Sequence, residues 1–231
     1  MDDKKFLDEF VKNGIWDENN PLKLHLGCGS RNIKEFINID LPISSTTIQD
    51  KSGADYYVDI LKLVFPPSTV DEIRLHHVFE HFDRPTALAQ LCFWHIWLKE
   101  DGVLTIETPN LSSSLWILLF PFYSYNNKQI VLRHLFGSHE ADWAIHYDGW
   151  YKRKYQKVLI SLGFGDLKFK YSKWRMTRNI TVVARKTKSL SLDSLIENSI
   201  DILKDSLLDN SDSETRLLSI WINKLKKSLN K

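Results

Sequence analysis

Apolar and polar residues alternate in two short segments near the amino terminus, with a glycine turn between them. The first segment, LKLHL, covers residues 22–26 and stops at the sequence Gly-Cys-Gly of residues 27–29. The second segment, FINID, covers residues 36–40. Alternation with a period of two residues is typical of strands. The pattern therefore predicts two strands joined through a glycine turn, with Asp40 at the carboxyl end of the second.

Strand-like and helix-like patterns alternate along the rest of the chain. The spacing of apolar residues predicts helices at residues 3–12, 84–99 and 151–161, with Gly102 ending the second and Gly163 the third. Short strands are predicted at 55–58, 72–76 and 103–108, followed by a closing hairpin of 164–171 and 179–184. Such alternation predicts an α/β fold, with helices on both faces of a mainly parallel sheet.

The composition changes beyond residue 186 to Ser, Leu, Asp and Lys. Apolar residues then recur at helical spacing on both sides of a polar break at 209–213: Leu192, Leu195, Ile196, Ile200, Leu203 and Leu207 before it, and Leu218, Trp221, Leu225 and Leu229 after it. This pattern predicts a helical hairpin appended at residues 187–231. Because isolated helices of this length are marginal in water, the apolar stripe must be covered. Its cover is either the chain's own domain or a second subunit of a homodimer.

The glycine turn is a candidate ligand-binding loop. Residues without β-carbons allow the backbone to turn sharply and to approach a ligand. A dinucleotide-binding fingerprint has a third glycine, where this chain has Asn32, and an acidic residue about twenty positions further on. Asp40 follows Gly29 much sooner, which leaves no room for a long phosphate-facing helix. The spacing therefore predicts a nucleoside ligand without a pyrophosphate, whose ribose hydroxyls Asp40 would bind.

Composition and charge limit the classes of partner. Lys and Arg number 31 against 29 Asp and Glu, so the near balance gives no indication of a nucleic-acid partner. The two cysteines, Cys28 and Cys92, offer no disulfide framework, which favours a reducing compartment. The first ten residues lack the layout of a signal peptide, and no apolar stretch is long enough to span a bilayer. These features predict a cytoplasmic protein without a membrane span.

The segment LHLGCGSRNIKEFINIDL, residues 24–41, resembles the cofactor-binding segment of class I S-adenosylmethionine-dependent methyltransferases. It is most similar to the compact group associated with glycan biosynthesis. The similarity continues in family order through ADYYVD (54–59), VDEIRLHHVFEHF (70–82), WLKEDGVLTIETP (97–109) and LISLGF (159–164). The resemblance implies a Rossmann-like methyltransferase domain at residues 21–186, preceded by an N-terminal helix in residues 1–20. The chain departs from the family at His25, where many members carry the Glu or Asp that binds the methionine ammonium group.

The resemblance also implies which residues contact the cofactor, S-adenosylmethionine. Asp59 is expected to bind the adenine amino group, although it could equally cap the turn into Ile60. His77 and His81 are expected to line the methionine end of the cofactor, or else to cap and pack their loop. The full set expected around the cofactor is Gly27, Cys28, Gly29, Ser30, Asp40, Leu41, Asp59, Ile60, His77 and His81.

A second interpretation arises from His77, Glu80 and His81, which match the HxxEH motif of zinc hydrolases. In that motif two imidazoles one helical turn apart bind zinc, and the Glu activates water. The motif belongs inside a long helix, whereas here it directly follows a predicted strand. We therefore expect no metal ion in the favoured interpretation and keep a zinc hydrolase as an alternative.

Residues 111–151 form a predicted insertion that is rich in aromatic side chains. Aromatic faces suit the apolar C–H faces of sugar rings, so we expect an acceptor to contact Trp116, Tyr123, Trp143, Tyr147 and Trp150. The same residues could instead form a small satellite core. Methylation of a weakly acidic sugar hydroxyl benefits from a general base, and histidine is suited to that role near neutral pH. The candidate bases, in order of preference, are His146, His139 and His77.

Three functional classes follow from these features. The favoured class is an S-adenosylmethionine-dependent methyltransferase acting on a hydroxyl group of a sugar or glycan. The second is a noncatalytic methyltransferase-like subunit that binds a partner through its C-terminal helices. The third is the zinc hydrolase.

Overall fold

The computed structural model describes residues 3–43, 48 and 50–230. Its helices are α1 (Lys5–Lys12), α2 (Arg84–Trp97), α3 (Leu111–Leu119), α4 (Tyr125–Phe136), α5 (Lys152–Ser161), α6 (Leu192–Lys204) and α7 (Asp212–Leu229). Its strands are β1 (Lys23–Leu26), β2 (Ile37–Asp40), β3 (Tyr56–Tyr57), β4 (Val70–His76), β5 (Leu98–Pro109), β6 (Phe164–Trp174) and β7 (Thr177–Lys186). Short 3₁₀ helices occupy Ile60–Lys62 and Phe79–His81.

The strands form one sheet in the order β3-β2-β1-β4-β5-β7-β6 within the described ranges. Strands β1 to β5 pair in parallel, whereas β7 runs antiparallel to both β5 and β6. The strand order reverses at β1, which lies between β2 and β4. In an open sheet the crevice at such a reversal, beyond the carboxyl ends of the strands, is where ligands bind. The arrangement confirms the α/β fold predicted from the sequence and locates the strand-order reversal next to β1.

Helix α2 begins as predicted but ends earlier. The carboxylate of Asp83 accepts a hydrogen bond from the Thr86 amide at 3.1 Å, and Pro85 lies in the first turn, where its missing N–H has no cost. The helix ends at Trp97 because Leu98 adopts extended backbone and begins β5. The prediction that the helix continues to residue 99 and ends at Gly102 is therefore wrong, and Gly102 lies within β5.

The N-terminal helix packs on the main core through aromatic side chains. Phe10 has no exposed surface, and its ring lies 5.2 Å from that of Tyr56 and 6.1 Å from that of Phe65. Phe65 in turn meets Trp97 edge to face at 5.2 Å. These contacts join α1 to β3 and to the end of α2, so the predicted N-terminal helix is an integral part of the core.

The apolar stripe of the C-terminal helices packs against α2. Leu195 and Leu203 of α6 and Leu225 of α7 are buried, and both helices contact α2. Cys92 Sγ of α2 lies 3.5 Å from Ser199 Oγ of α6. The stripe therefore packs on the chain's own domain, one of the two covers that the sequence left open, whereas a homodimer stays a prediction. None of the helices in the described part of the chain is long and apolar enough to cross a membrane.

His95 of α2 connects the core to the C-terminal segment and makes stability depend on pH. Its Nε2 accepts a hydrogen bond from the Leu190 amide at 3.1 Å, and the residue is 1 % exposed. Burial, helped by the charge of Lys186, lowers the pKa of His95 from 6.5 to about 4. As the pH falls, the unfolded chain binds a proton at this site before the folded chain does, so the free energy of unfolding decreases between pH 6.5 and 4.

We expect the His95 contribution to cost about 2 kcal/mol of stability between neutral pH and about pH 5. Urea unfolding at the two pH values would measure the loss in the natural chain and in His95→Gln. Glutamine keeps an acceptor for the Leu190 amide but does not titrate. Because the other histidines are common to both proteins, the loss should be smaller in the variant by about that amount. Equal losses would contradict the prediction.

Candidate active site

The loop that follows β1 is held against two neighbouring strands. Gly27 and Gly29 both have left-handed backbone, with φ of 67° and 60°. The amides of Gly27 and Cys28 donate to the carbonyl of Ile39, at 2.8 and 3.1 Å. A β-carbon on Gly27 would lie 2.3 Å from Val78 Cγ2, in the segment after β4. Glycine at position 27 therefore permits both the turn and the close contact between these two segments.

Asp40 is held at the carboxyl end of β2, facing this loop. Its Oδ2 accepts a hydrogen bond from the Gly29 amide at 2.6 Å, and its Oδ1 accepts one from the Leu41 amide at 2.7 Å. Oδ2 also accepts a weak hydrogen bond from Cys28 Sγ at 3.9 Å. Because each carboxylate oxygen can accept two hydrogen bonds, the free acceptor position lies on Oδ1. The neighbouring Ser30 and Leu41 are exposed. The carboxylate is thus oriented by two backbone amides and the Cys28 thiol, and it retains an acceptor position on Oδ1.

The Cys28 side chain points into the protein and is 4 % exposed. Burial, with a further contribution from the negative charge of Asp40, raises the pKa of the thiol to about 12. The thiol is therefore neutral at physiological pH and contributes packing, while the Cys28 backbone contributes to the loop.

His25 belongs to a buried hydrogen-bond network that holds the segment after the glycine loop of residues 27–29. It is 1 % exposed, and its Nδ1 lies 2.9 Å from Asn38 Oδ1. Asn38 Nδ2 donates to Asp55 Oδ2 at 2.7 Å, and Asn38 Oδ1 accepts from the Ile33 amide at 2.8 Å. Burial lowers the pKa of His25 despite the bond to Asn38. The imidazole therefore positions the loop and does not supply the carboxylate found at this position in many members of the resembled family. Sequence reasoning missed Asn38, whose signal was an amide inside an apolar strand.

Asp59 caps the 3₁₀ helix that follows β3. Its Oδ1 accepts a hydrogen bond from the Leu61 amide at 2.9 Å, immediately after Ile60. The capping role is therefore present, and the adenine-binding role stays a prediction. β3 pairs in parallel with β2, and Asp40 lies opposite Tyr57. Asp59 and Asp40 accordingly follow adjacent strands at the same edge of the sheet.

His77 follows β4 and forms a dyad with a buried glutamate. Its Nδ1 lies 3.0 Å from Glu80 Oε1, and its backbone is left-handed with φ of 56°. Burial opposes protonation of His77, but the hydrogen bond to Glu80 and the charges of Glu80 and Glu107 outweigh it and raise the pKa. Glu80 is 1 % exposed, and although burial favours its neutral form, His77 and nearby histidines lower its pKa. A non-glycine residue in this strained backbone is typical of functional sites.

The imidazole rings of His81 and His146 pack against each other next to Glu80. Their ring centroids are 4.6 Å apart, and His146 Nε2 lies 4.0 Å from Glu80 Oε1. His81 Nδ1 lies 3.1 Å from the carbonyl of Ile145, and its ring is 6.1 Å from that of Trp143. Burial lowers the pKa of His146 to about 4, although the charge of Glu80 opposes this shift. The imidazole of His146 is therefore neutral at physiological pH.

The zinc-hydrolase geometry is not formed in the part of the chain that the structure describes. HxxEH requires His77 and His81 to converge on one ion, but the two side chains belong to different groups of candidate ligands. His77 lies with His76 and Glu107, whereas His81 lies with Glu80 and His146. The motif occupies a strand end and a short 3₁₀ helix. The positions of these side chains and the short 3₁₀ helix therefore do not support a zinc hydrolase based on HxxEH.

A polar cluster that sequence reasoning missed lies at the ends of β4 and β5. His76 Nε2 is 2.8 Å from Arg31 Nη1 and 3.0 Å from Glu107 Oε1. Glu107 Oε2 also accepts from Thr181 Oγ1 at 2.8 Å. The hydrogen bond from His76, followed by that from Thr181, lowers the pKa of Glu107 to about 2 despite burial. The sequence did contain an indication of this cluster, because His76 and Glu107 each lie near the carboxyl end of a predicted strand.

Two open cavities lie above this edge of the sheet. One has a volume of about 880 Å³. It is lined by four of the predicted histidine and tryptophan residues together with the missed cluster: Arg31, His76, His77, His81, Glu107, Trp143 and His146, with His134 beside them. The other, of about 840 Å³, is lined by Leu111, Phe136, His146, Tyr147, Tyr151 and Lys154, among others. His146 lies between the two cavities. The first cavity collects the titratable groups that could perform chemistry.

The aromatic residues predicted to bind an acceptor occupy different environments. Trp143 and Tyr147 are 48 % and 53 % exposed and each lines a cavity. Trp150 is 3 % exposed and stacks on Tyr155 at 4.8 Å, so it belongs to the core in this structure. Trp116, on α3, is 66 % exposed and lines neither cavity.

The remaining two predicted residues of the insertion also lie apart from the cavities. Tyr123 is half-buried near Phe120, with ring centroids 6.5 Å apart. His139 is exposed, and its Nε2 lies 2.9 Å from the carbonyl of Phe136. The structure therefore brings His77, His81, His146 and Trp143 together and separates His139, Trp116, Tyr123 and Trp150 from them.

Comparisons with known proteins gave matches in structure alone. No family model matches the chain, and no curated protein matches it. Among solved structures, the chain is similar to a SAM-dependent methyltransferase from Methanosarcina mazei, at 14 % identity and a TM-score of 0.47, over 76 % of this chain and 96 % of that one.

Two further solved structures are similar at the same level. One is the 1,6-didemethyltoxoflavin-N1-methyltransferase of Burkholderia thailandensis, at 12 % identity and a TM-score of 0.48, over 74 % of this chain and 73 % of that one. The other is a SAM dependent methyltransferase from Archaeoglobus fulgidus, at 16 % identity and a TM-score of 0.47, over 78 % of this chain and 92 % of that one.

Proposed function

We propose that this chain is an S-adenosylmethionine-dependent methyltransferase that acts on a hydroxyl group of a sugar or glycan. The observation that carries the proposal is the position of Asp40 and the glycine loop of residues 27–29 at the strand-order reversal. A ligand at that point meets the backbone of the loop and a carboxylate with a free acceptor position on Oδ1. Both features suit a nucleoside.

The residues present fit the nucleoside part of the cofactor. Asp40 would accept hydrogen bonds from the two ribose hydroxyls, one at the free position of Oδ1 and one at Oδ2 in place of the weak bond from Cys28 Sγ. Asp59, after the adjacent strand, would be near the adenine. When bound, S-adenosylmethionine supplies a methyl group on a sulfonium sulfur, which is already activated for transfer.

His77 is the best placed of the candidate general bases. Its Nδ1 bond to Glu80 orients the ring, and its Nε2, which lies 3.8 Å from Glu107 Oε1, would accept a proton from a hydroxyl group. The side chain also lines the larger cavity. His139 faces a backbone carbonyl outside that cavity, and His146 is turned toward Glu80 and His81. We therefore place His77 ahead of His146, the reverse of the order suggested by the sequence.

Trp143 supports a sugar or glycan as the acceptor class. It is half-exposed and lines the same cavity as His77. An indole face offers apolar contact to the C–H face of a sugar ring, while Arg31 and Arg133 around the cavity can donate to hydroxyl oxygens. Tyr147 lines the adjoining cavity and extends the aromatic surface. The acceptor would thus bind across the insertion, with its reacting hydroxyl near His77.

Calorimetric titration with S-adenosylmethionine and S-adenosylhomocysteine tests the proposal. We expect saturable binding of both ligands and at least ten-fold weaker binding by Asp40→Ala, because hydrogen bonds to a charged group contribute about 1.5–3 kcal/mol each. Asp209→Ala is the matched control, since Asp209 Oδ1 also accepts a backbone amide, that of Ser211 at 2.8 Å, in the link between α6 and α7. Thermal unfolding of each variant would show that the fold is retained.

The outcomes separate the functional classes. Binding that depends on Asp40 justifies a screen for methyl transfer to nucleotide sugars and free glycans, with product detected by mass spectrometry. An absence of binding at millimolar ligand would overturn the enzyme proposal and favour a noncatalytic subunit.

A further inference from the structure

Glu80, His81 and His146 form a compact group beside the larger cavity. One potential ligand atom from each side chain lies within 4.8 Å of the others. Glu80 and His81 belong to the 3₁₀ helix Phe79–His81, and His146 comes from the loop between α4 and α5. Residues that are far apart in sequence therefore present two imidazoles and one carboxylate to the same point.

The backbone around this group fixes its three members. The Tyr147 amide donates to the Glu80 carbonyl at 2.9 Å, which ties the loop to the 3₁₀ helix. The His146 amide donates to the Phe136 carbonyl at 3.1 Å. His81 Nδ1 lies 3.1 Å from the Ile145 carbonyl, so the ring donates there and keeps Nε2 as a lone-pair donor. Histidine ligands of metal ions are commonly oriented by such a bond from the other ring nitrogen.

The carboxylate of Glu80 carries an unmet electrostatic requirement. The residue is 1 % exposed, and while Oε1 is bonded to His77, Oε2 is buried without a hydrogen-bond partner among the described residues. A buried carboxylate oxygen without a partner is costly, and such oxygens are normally paired or bound to a metal ion. His146 Nε2 lies 4.0 Å from Oε1 of the same carboxylate, and His81 supplies a further ligand atom within 4.8 Å.

The neighbouring group of His76, His77 and Glu107 is a poorer cation site. Arg31 Nη1 lies 2.8 Å from His76 Nε2 and places a permanent positive charge where the ion would bind. Glu107 is also satisfied by Thr181, at 2.8 Å from Oε2. In the group with Glu80, Oε1 is bonded to His77 at 3.0 Å, but Oε2 has no hydrogen-bond partner among the described residues.

The geometry points to a binding site for a divalent transition-metal ion, formed by Glu80, His81 and His146. Two imidazoles and one carboxylate are the ligand set of many zinc and non-haem iron sites, and they accept Mn²⁺ and Co²⁺ as well. With metal-to-ligand distances of about 2.0–2.2 Å, the ligand atoms would move to about 3.3 Å apart. Three protein ligands leave at least one coordination position, which opens toward the cavity that His81 and His146 line. The metal site requires only these three residues, so its test is independent of the proposed methyl transfer.

Titration of the tag-free chain with Zn²⁺ and Co²⁺ tests this site without any cofactor or acceptor. We expect one equivalent to bind with micromolar affinity or better, and the visible absorption of Co²⁺ to report four- or five-coordinate nitrogen and oxygen ligands. His81→Ala should weaken binding at least ten-fold. This side chain is only partly buried, so its loss leaves the core intact. Glu80→Gln removes the charge but keeps the size and should also weaken binding at least ten-fold.

Two control variants make the result specific. His139→Ala removes an exposed histidine of the same loop, and His76→Ala removes a ligand of the neighbouring group; both should retain binding. Absence of one-equivalent binding by the natural chain would overturn the proposal. So would equal binding by His81→Ala and the natural chain, or loss of binding in His76→Ala. Circular dichroism of each variant would separate loss of ligand from loss of fold, with His81→Ala deciding if Glu80→Gln unfolds.

Discussion

Gly27→Ala is expected to lower the free energy of unfolding by about 2–5 kcal/mol and to abolish cofactor binding. Two effects add at this position. The left-handed backbone, with φ of 67°, disfavours any residue with a β-carbon. The added carbon would also lie 2.3 Å from Val78 Cγ2, which requires the loop after β1 to separate from the segment after β4. Chemical denaturation and titration with S-adenosylhomocysteine would measure the two consequences.

Gly14 provides a matched control for the backbone effect alone. Its φ of 66° is nearly the same, but a β-carbon there would meet nothing within 4 Å. Gly14→Ala should therefore cost only about 1 kcal/mol and leave cofactor binding unchanged. Val78→Ala removes both γ-carbons, so combining it with Gly27→Ala should restore part of the lost stability. Equal costs for Gly14→Ala and Gly27→Ala would show that the contact with Val78 is unimportant.

His77→Asn is expected to reduce the rate of methyl transfer by about 10²–10⁴ while leaving cofactor affinity within a few-fold. Asparagine tolerates the left-handed backbone better than most residues and retains a polar contact to Glu80, but it does not accept a proton. The loss should therefore fall on kcat. Single-turnover measurement with a large excess of acceptor would separate the chemical step from acceptor binding.

Comparison with His139→Ala distinguishes a general base from a general disturbance of the insertion. His139 bonds to the Phe136 carbonyl outside the cavity, so its removal should change the rate by less than a few-fold. If His77→Asn retains full activity, methyl transfer to this acceptor does not use His77 as a base. A larger loss of rate in His139→Ala than in His77→Asn would indicate that His139, and not His77, is the general base.

The sequence by itself determined the fold class and the place of the glycine turn and Asp40 in the sheet. Alternating apolar residues at 22–26 and 36–40 correctly predicted β1 and β2, because successive side chains of a strand point to opposite faces. The alternation did not reveal that the polar positions His25 and Asn38 are also buried. The glycine turn and Asp40 were found because left-handed turns and strand-end carboxylates have local chemical signatures. The stripe beyond residue 186 likewise predicted α6 and α7.

The tertiary structure decided which side chains meet. The residue type of Trp150 and its place in the aromatic insertion predicted a contact with the acceptor, yet Trp150 is buried against Tyr155. Burial depends on packing partners that a local sequence pattern does not specify. Arg31, His76 and Glu107 come together only because separate parallel strands end at the same edge. The group of Glu80, His81 and His146 forms across 66 positions of sequence, whereas spacing alone had suggested the local pair in HxxEH. Periodicity reports which face of an element is buried, and contacts between distant segments arise only when the chain folds.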